Sequence, residues 1–270
     1  MESHPPARFR HLTNRALRMV APVAFAALLA ACARGNAARE REGLPSLGAH
    51  TLLGQEDHSG VSPAITAPVD TQPRGSSFIT FDAGYASNDG TPLDNQGNAW
   101  RRIGDPVVYR GYGGRYSVSA YVAVDGRGGS GHEVRFDKRA EPAGEITVPF
   151  VEVRNAAKLV DVAVAYPGAG TTVTSGEVTT DGPATLVAFW WGDGPQLRHA
   201  VSVGDGFTLL DKLLDLPPGS AVQCAVAYRN TGSAGTYRVT WTNAPVQGAV
   251  LWLFAFEGAP APAGGTGISR

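Results

Sequence analysis

The feature that most constrains the fold of this chain is a hydrophobic period of two, which recurs in short segments from about residue 62 onward. Clear examples are Tyr116–Val124 and Ala221–Tyr228. Successive residues of a strand point to opposite faces, so each segment predicts a strand with one buried face. Gly, Pro, Asn and Asp separate the segments, which is typical of an all-β protein. Phe207–Leu216 also suits a helix, which Pro217 and Pro218 would end.

The strand pattern occurs twice, which predicts an internal duplication. Hydrophobic positions of the two copies match at offsets of 104 to 109 residues. The matched segments are Phe78–Gly84 with Leu186–Gly192, Val118–Val124 with Val222–Tyr228, and Gly144–Phe150 with Gly248–Phe254. Because a slip of one residue would move every side chain to the other face, the alignment predicts that matched residues lie on matched faces.

Each copy has the length of an immunoglobulin-like or small jelly-roll sandwich, about 100 residues. We therefore predict an all-β fold with two repeated β-sandwich halves at 62–156 and 157–258, followed by a disordered tail at 259–270. One larger sandwich built by both halves is the alternative. Val250–Phe256 (VLWLFAF) is apolar throughout, so we expect both faces of this strand to be buried at an interface shared by the halves.

The body of the chain, residues 62–258, resembles a group of secreted bacterial β-sandwich proteins to which no activity is assigned. The turn Asp94–Trp100 (DNQGNAW) matches the D-x-x-G-N-x-[YW] pattern of that group. The resemblance implies a sandwich architecture and no particular chemistry.

The first 31 residues are predicted to be an export signal peptide. Four arginines between residues 8 and 18 precede an apolar run from Met19 to Ala31. A basic segment, a short apolar segment and small residues make up such a signal. The run is shorter than the roughly 20 residues of a membrane-spanning helix.

The signal ends in Leu29-Ala30-Ala31-Cys32, which resembles the lipobox of bacterial prolipoproteins. The resemblance implies cleavage before Cys32 and acylation of its thiol and amino group, with palmitate among the acyl chains, which gives a stable membrane anchor. Ala33 stands where an aspartate would imply retention at the inner membrane, so the resemblance favours the outer membrane of the cell envelope. An ordinary signal peptide with an incidental cysteine is the alternative.

Residues 32–61 show no sustained period, and we predict a lipidated Cys32 followed by a flexible tether with a reach of about 30 Å. Without residues 1–31 the chain has 19 basic and 23 acidic residues, a net charge of −4. This charge and the export signal argue against a nucleic-acid partner.

Cys224 is the second of the two cysteines, so acylation of Cys32 leaves no intrachain disulfide. Val222 and Val226 share its strand face, and we therefore expect Cys224 to be a small buried hydrophobic residue. A reactive thiol would need a basic, exposed setting.

Oxygen-bearing side chains cluster in one turn, at Asp94, Asn95 and Asn98. Such groups are the ligands that calcium prefers. Asn, Asp and Gly also form turns without any metal, because they tolerate positive φ. Turn formation is therefore the competing interpretation, and we expect neither a metal nor a cofactor.

Ser130 lies two residues before His132, which raises the possibility of a serine hydrolase, although no G-x-S-x-G elbow is present. A hydrolase would combine His132 or His199 with Asp105 or Asp193. The sequence does not assemble a nucleophile, base and acid into one set, so we expect a protein without catalysis.

Two aromatic segments are candidates for ligand binding. Trp190 and Trp191 are adjacent in a predicted strand, so one belongs to the core and the other can be exposed to stack on a sugar ring. Burial of both is the alternative.

The segment Tyr109–Tyr116 is the second candidate, because the offset between copies falls from 109 to 104 across it. This predicts a five-residue insertion that the fold does not require, and binding is commonly located on such loops. The candidate contacts are Tyr109, Tyr112, Arg115 and Tyr116; a mobile, solvated hairpin is the alternative.

Taken together, these features predict a lipid-anchored, extracytoplasmic binding module whose partner is a glycan or another envelope protein. A structural envelope or assembly component, whose apolar last strand docks a partner, is the second hypothesis. A hydrolase is the third.

Overall fold

The computed structural model describes residues 43–218 and 220–259, together with Asn36 and Arg39. The predicted signal peptide, the lipidation site Cys32 and all but the first residue of the predicted tail at 259–270 lie outside the described residues. The elements with described bounds are eighteen β-strands and one 3-10 turn, Ala86–Asn88. This confirms the predicted all-β fold class.

The strands of the first half, up to residue 156, are β1 (Ser46–Gln55), β2 (Ala64–Ile65), β3 (Arg74–Tyr85), β4 (Leu93–Asp94), β5 (Arg101–Val108), β6 (Tyr116–Arg127), β7 (Val134–Phe136) and β8 (Ile146–Arg154). Those of the second half are β9 (Lys158–Ala165), β10 (Gly170–Thr174), β11 (Val178–Thr180), β12 (Ala184–Gly192), β13 (Ala200–Val203), β14 (Thr208–Leu213), β15 (Cys224–Asn230), β16 (Gly235–Tyr237), β17 (Thr240–Gln247) and β18 (Ala249–Glu257).

Each half contains one five-stranded antiparallel sheet, and the two sheets have the same strand order. The order is β1-β8-β3-β6-β5 in the first half and β9-β18-β12-β15-β14 in the second. Smaller sheets pack on the outer face of each: β2-β7-β4 in the first half, and β10-β17-β13 with β11-β16 in the second. Each half is therefore a β-sandwich with its own core.

A third core lies between the inner faces of the two five-stranded sheets, and we call it the central core. Phe81 of β3 lies at its middle, with its ring centroid 4.4 Å from that of Phe189 and 5.1 Å from that of Trp191. Trp252 and Phe254 of β18 complete this aromatic cluster. Burial of each large apolar side chain stabilises the fold by about 1.5–3 kcal/mol, so this core binds the two sandwiches together.

The last strand, β18, is buried on both faces, as its sequence predicts. Val250 and Trp252 face the central core, whereas Leu251 and Leu253 face the core of the second half. Both edges of β18 are also hydrogen-bonded, to β12 and to β9. The hypothesis that this strand docks a partner is therefore wrong, because it has neither a free edge nor a free face.

The predicted flexible tether at 32–61 is wrong in its second part. Ser46–Gln55 forms β1, which pairs with β8 at the edge of the first five-stranded sheet. Its hydrophobic pattern is weak because an edge strand is only partly buried and because Gly48 and Gly54 interrupt it. In contrast, the ambiguous segment Phe207–Leu216 contains β14, which confirms the strand interpretation over the helix.

The alignment of Gly144–Phe150 with Gly248–Phe254 is wrong by an odd number of residues. Val148 and Phe150 face the core of the first half, but their matched residues Trp252 and Phe254 face the central core. Nearly every residue of both strands is buried. The apolar pattern therefore carries no period that could fix the register.

Arg39, which precedes the first half in the chain, contacts the second half beside the start of β12. The guanidinium of Arg39 donates hydrogen bonds to three carbonyl oxygens, those of Pro45 at 2.7 Å, Thr231 at 2.8 Å and Ala184 at 3.2 Å. These bonds hold Arg39 beside the end of the sheet where β12 begins.

Candidate functional site

A cleft of about 240 Å³ lies at one end of the central core, where four connections meet. They are the β5–β6 hairpin and the β7–β8 connection of the first half, and the β12–β13 and β14–β15 connections of the second. The lining consists of Tyr109, Tyr112, Tyr116 and Glu145 from the first half, and of Gly192, Asp193, Gly194, Pro195, Leu197, Leu216, Pro218, Ser220, Ala221, Val222 and Gln223 from the second. We call this site the hairpin cleft.

The β5–β6 hairpin places three tyrosines at the cleft through a tight backbone turn. The N–H of Tyr109 donates to the carbonyl of Tyr116 at 3.0 Å, and the N–H of Arg115 donates to that of Tyr112 at 3.2 Å. Gly113 and Gly114 have φ of 62° and 77°, a left-handed conformation that most side chains disfavour. These glycines allow the chain to reverse within a few residues.

The three tyrosines pack edge-to-face and contact the second half. The ring centroid of Tyr112 lies 6.2 Å from that of Tyr109 and 5.8 Å from that of Tyr116. The Tyr112 hydroxyl donates to the carbonyl of Asp193 at 2.9 Å. The aromatic wall of the cleft is thus held in place by both halves.

Arginines of the same hairpin stack on tyrosines around the cleft. The guanidinium of Arg115 lies 5.7 Å from the ring centroid of Tyr116 and 5.6 Å from that of Tyr85. Arg110 lies 4.1 Å from the ring centroid of Tyr166 and donates to its carbonyl at 2.9 Å. These cation–π contacts hold Arg115 over the lining residue Tyr116, and Arg110 over Tyr166, which is not among the described lining residues.

Three polar atoms of the lining are buried without a hydrogen-bond partner among the described residues: Oε2 of Glu145, the hydroxyl of Tyr109 and Oε1 of Gln223. The three residues are only 4%, 5% and 3% exposed. An unpaired buried polar group costs about 1–3 kcal/mol. All three residues belong to the lining of one cleft, and polar groups in the lining of a pocket are candidates for ligand binding.

Burial also changes the acid–base behaviour of the cleft. It raises the pKa of the Glu145 carboxyl, and the charge of Asp57 acts in the same direction. A hydrogen bond from Ser220 and the charge of Arg115 oppose this change. Burial likewise raises the pKa of the Tyr109 hydroxyl well above its usual value, so this hydroxyl keeps its proton.

The structure brings the sequence-predicted residues Tyr109, Tyr112 and Tyr116 together in the cleft, whereas Arg115 is not among the described lining residues and lies over the ring of Tyr116. The predicted five-residue insertion is nevertheless wrong. Ten residues separate the paired strand positions Val107 and Val118, and ten also separate Leu213 and Cys224 in the second half. The register is irregular between Ile103 and Val107 in β5 and between Leu209 and Asp211 in β14.

The expectation that Trp190 or Trp191 is exposed to a ligand is wrong, because both side chains are fully buried. Trp191 lies in the central core, and Trp190 lies in the core of the second half, where its Nε1 donates to Oδ1 of Asn243 at 2.8 Å. The two faces of β12 each meet a core, so neither tryptophan reaches the surface.

The Asp94 carboxylate accepts most of the side-chain hydrogen bonds that hold the predicted turn Asp94–Trp100. Its Oδ1 accepts hydrogen bonds from the N–H groups of Gln96 and Asn98, and its Oδ2 accepts from the side chains of Asn98 and Trp100, all at 2.9–3.0 Å. Asn95 instead bonds the backbone of Gly131 and Glu133. The carboxylate proposed for calcium is thus used by the turn, and no group of three His, Cys, Asp or Glu that could hold a metal occurs among the described residues.

The hydrolase residues are not brought together. His132 is fully buried, with Nδ1 at 3.0 Å from the Thr71 hydroxyl and Nε2 at 3.6 Å from Asp94. His199 bonds the side chain of Gln247 and the carbonyl of Gln196. Of the partners proposed for these histidines, Asp105 lies on β5, and Asp193 accepts a hydrogen bond from the Tyr166 hydroxyl.

The Ser130 hydroxyl donates to Asp70 at 2.7 Å rather than to a histidine. This hydrogen bond is part of the turn, and so the serine carries no sign of activation.

Cys224 lies in the central core and is fully buried. Burial raises the pKa of its thiol well above the usual value. A thiol in this setting is inert, which confirms the expectation of a structural residue.

Sequence reasoning missed Glu145, Asp193 and Gln223 as residues of the cleft. Glu145 carries a weak signal, because it is the one acid directly before the apolar strand β8. Gln223 and Asp193 lie in connections without a recognisable pattern, and only the meeting of the two halves gives them a shared role.

Comparison of the chain with known protein families, curated proteins and solved structures finds no match. Within the described part of the chain, no helix has the length and hydrophobicity needed to cross a bilayer.

Proposed function

We propose that this protein is a lipid-anchored, extracytoplasmic binding module that holds its ligand in the hairpin cleft. The observation that carries the proposal is the set of three unpaired, buried polar atoms of Tyr109, Glu145 and Gln223 around one cleft. Polar atoms that face water or a protein partner do not remain unpaired, so a ligand with complementary groups is the simplest way to satisfy them.

The location is proposed from the sequence. The basic and apolar segments of residues 1–31 and the lipobox-like Leu29-Ala30-Ala31-Cys32 support export and acylation of Cys32. Ala33 favours the outer membrane, and both a glycan and an envelope protein are partners that such a protein would encounter. No catalysis is proposed, because neither buried histidine lies in the cleft lining.

The proposal is tested by capture experiments with the full chain and its variants. Purified protein is applied to a glycan array and to a solubilised envelope fraction, and captured material is compared between the wild type, Tyr112→Ala and Arg115→Ala. We expect both variants to capture much less ligand than the wild type does. Tyr112 forms part of the cleft wall, and Arg115 lies over the ring of Tyr116 and helps to hold it in place.

A matched control is available in the second half, where the guanidinium of Arg229 on β15 lies 5.1 Å from the ring centroid of Tyr237 on β16. Tyr237→Ala and Arg229→Ala remove the same residue types from a stacked pair outside the cleft lining. These variants are expected to capture as the wild type does. Equal capture by all four variants, each folded by circular dichroism, would contradict the assignment of the cleft.

A further inference from the structure

The unpaired atoms of the hairpin cleft define which hydrogen bonds a ligand has to make. Oε1 of Gln223 only accepts a hydrogen bond, whereas the Glu145 carboxyl accepts when it is ionised and donates when it is protonated. The Tyr109 hydroxyl has a proton to donate and a lone pair to offer. A ligand that carries several hydroxyl groups satisfies all three, because each hydroxyl both donates and accepts.

The charges of the lining disfavour anionic ligands. Its charged side chains are Glu145 and Asp193, and no basic residue occurs among its described members. The nearby Arg115 stacks on two tyrosines. A carboxylate or phosphate in the cleft would lie beside Glu145 and Asp193, and the charge of the nearby Arg115 already acts on Glu145, so an anion is disfavoured there.

The aromatic wall disfavours an organic cation. Ammonium groups bind over open faces of several rings. Here Tyr112 packs edge-to-face with both Tyr109 and Tyr116, and Arg115 lies over Tyr116. The cation–π position of this wall is therefore occupied by the protein's own arginine.

The size and the apolar part of the lining fit a single ring. The volume of about 240 Å³ is below the roughly 300–1,000 Å³ of pockets that enclose drug-sized ligands. Pro195, Leu197 and Leu216 contribute apolar surface beside the tyrosines. Such surface packs against the C–H face of a ring whose hydroxyls point to the polar atoms.

We propose that the hairpin cleft binds one uncharged sugar ring, either as a free monosaccharide or as one residue of a glycan. This inference rests on the proposed function and specifies the ligand of the same site.

The test uses the full chain in a detergent without a sugar headgroup. Methyl glycosides of neutral hexoses and N-acetylhexosamines are titrated by calorimetry and by saturation-transfer NMR, together with glucosamine and glucuronic acid as charged counterparts. A series of neutral oligosaccharides of increasing length distinguishes a monosaccharide site from a glycan-end site. We expect at least one neutral ring to bind at least tenfold more tightly than either charged ring.

The variant Tyr109→Phe separates binding from stability. Its hydroxyl has no protein partner, so removal is expected to leave the thermal midpoint of the ligand-free protein unchanged or raised. The same removal deletes a hydrogen bond to the ligand and is expected to weaken binding about tenfold.

Tyr121→Phe is the matched control. The Tyr121 hydroxyl donates to Asp89 at 2.9 Å and lies outside the cleft lining. This variant is therefore expected to lower the thermal midpoint and to leave the affinity for the sugar unchanged. Equal affinity of Tyr109→Phe and the wild type for the bound sugar would overturn the inference.

Failure of the inference and failure of the proposed function give different results. Tighter binding of glucosamine or glucuronic acid, weakened by Tyr109→Phe, overturns the uncharged ring and retains the cleft as a binding site. If no sugar binds but an envelope protein is captured by the wild type and not by Tyr112→Ala, the uncharged ring is likewise overturned and the cleft is retained as a binding site. No binding of any saccharide and no Tyr112-dependent capture overturns both.

Discussion

Asp82 gives the sharpest test of how a buried charge shapes the stability of this fold. It lies on β3, opposite Ser119 of β6, and is 4% exposed. Its Oδ2 and the Ser119 hydroxyl both lack a partner among the described residues. Burial, with a smaller effect of the charge of Asp89, raises the pKa of this carboxyl from 3.8 to about 8; a hydrogen bond from the N–H of Gly90 and the charge of Lys138 oppose the change.

The sign of the pH dependence follows from this raised pKa. The folded protein keeps the proton of Asp82 up to pH about 8, whereas the unfolded chain releases it near 3.8. The stability contributed by the protonated group is therefore complete below pH 3.8 and is lost progressively as the pH rises to about 8. At pH 7 the loss corresponds to about three pKa units, or about 4 kcal/mol.

Asp82→Asn removes this loss, because an amide does not ionise. We expect the free energy of unfolding of the variant to exceed that of the wild type by about 4 kcal/mol at pH 7, and the difference to shrink toward zero near pH 4. Urea unfolding at intervals from pH 4 to 8 measures the difference. Because both proteins share every other titrating group, the difference isolates residue 82.

Asp125→Asn serves as the control, since Asp125 is exposed on β6 and its φ of 49° suits asparagine. Its stability is expected to follow the wild type at every pH. If the free energy of unfolding of Asp82→Asn also differs from that of the wild type by a constant amount from pH 4 to 8, then Asp82 is ionised in the folded state and the reasoning is refuted.

Three further changes have defined outcomes. Cys32→Ser is expected to abolish palmitate labelling and membrane association; a variant that stays membrane-bound without label would refute the anchor. Asp94→Asn is expected to lower the free energy of unfolding at pH 7 by about 2–4 kcal/mol, because several donors lose a charged acceptor. Although burial raises it, the nearby His132 and hydrogen bonds from Asn98 hold the pKa of Asp94 well below its usual range. The stability that the ionised Asp94 contributes is therefore present above pH 3.8 and is lost only in stronger acid. If the wild type and Asp94→Asn differ in free energy of unfolding by the same amount at pH 2 and at pH 7, this role of the carboxylate is contradicted. Arg39→Ala is expected to lower the free energy of unfolding by about 1–3 kcal/mol, since three carbonyls lose their donor; an unchanged urea midpoint would show that water replaces those bonds without loss.

The fold class was predictable because half-buried strands such as Tyr116–Val124 show an alternating pattern on one face. The pattern failed where burial is uniform or weak. β8 and β18 are buried on both faces, so their register was ambiguous, and β1 is an edge strand with too few buried residues to show a period. Trp190 and Trp191 point to opposite faces as expected, but sequence does not reveal that a core covers each face.

The cleft was only partly predictable. The aromatic hairpin Tyr109–Tyr116 was found from its composition, although the insertion used to single it out does not exist. The unpaired state of Glu145 and Gln223 depends on neighbours that are distant in sequence and belong to the other half. No local pattern can report which atoms remain without a partner after the two sandwiches meet.

The Arg39 contacts and the hairpin cleft lie at opposite ends of the same strand. Arg39 bonds the carbonyl of Ala184, where β12 begins, and Gly192, where β12 ends, lines the cleft. Eight residue steps of about 3.3 Å put these points roughly 26 Å apart. The contacts of Arg39 are therefore separated from the hairpin cleft by the full length of β12.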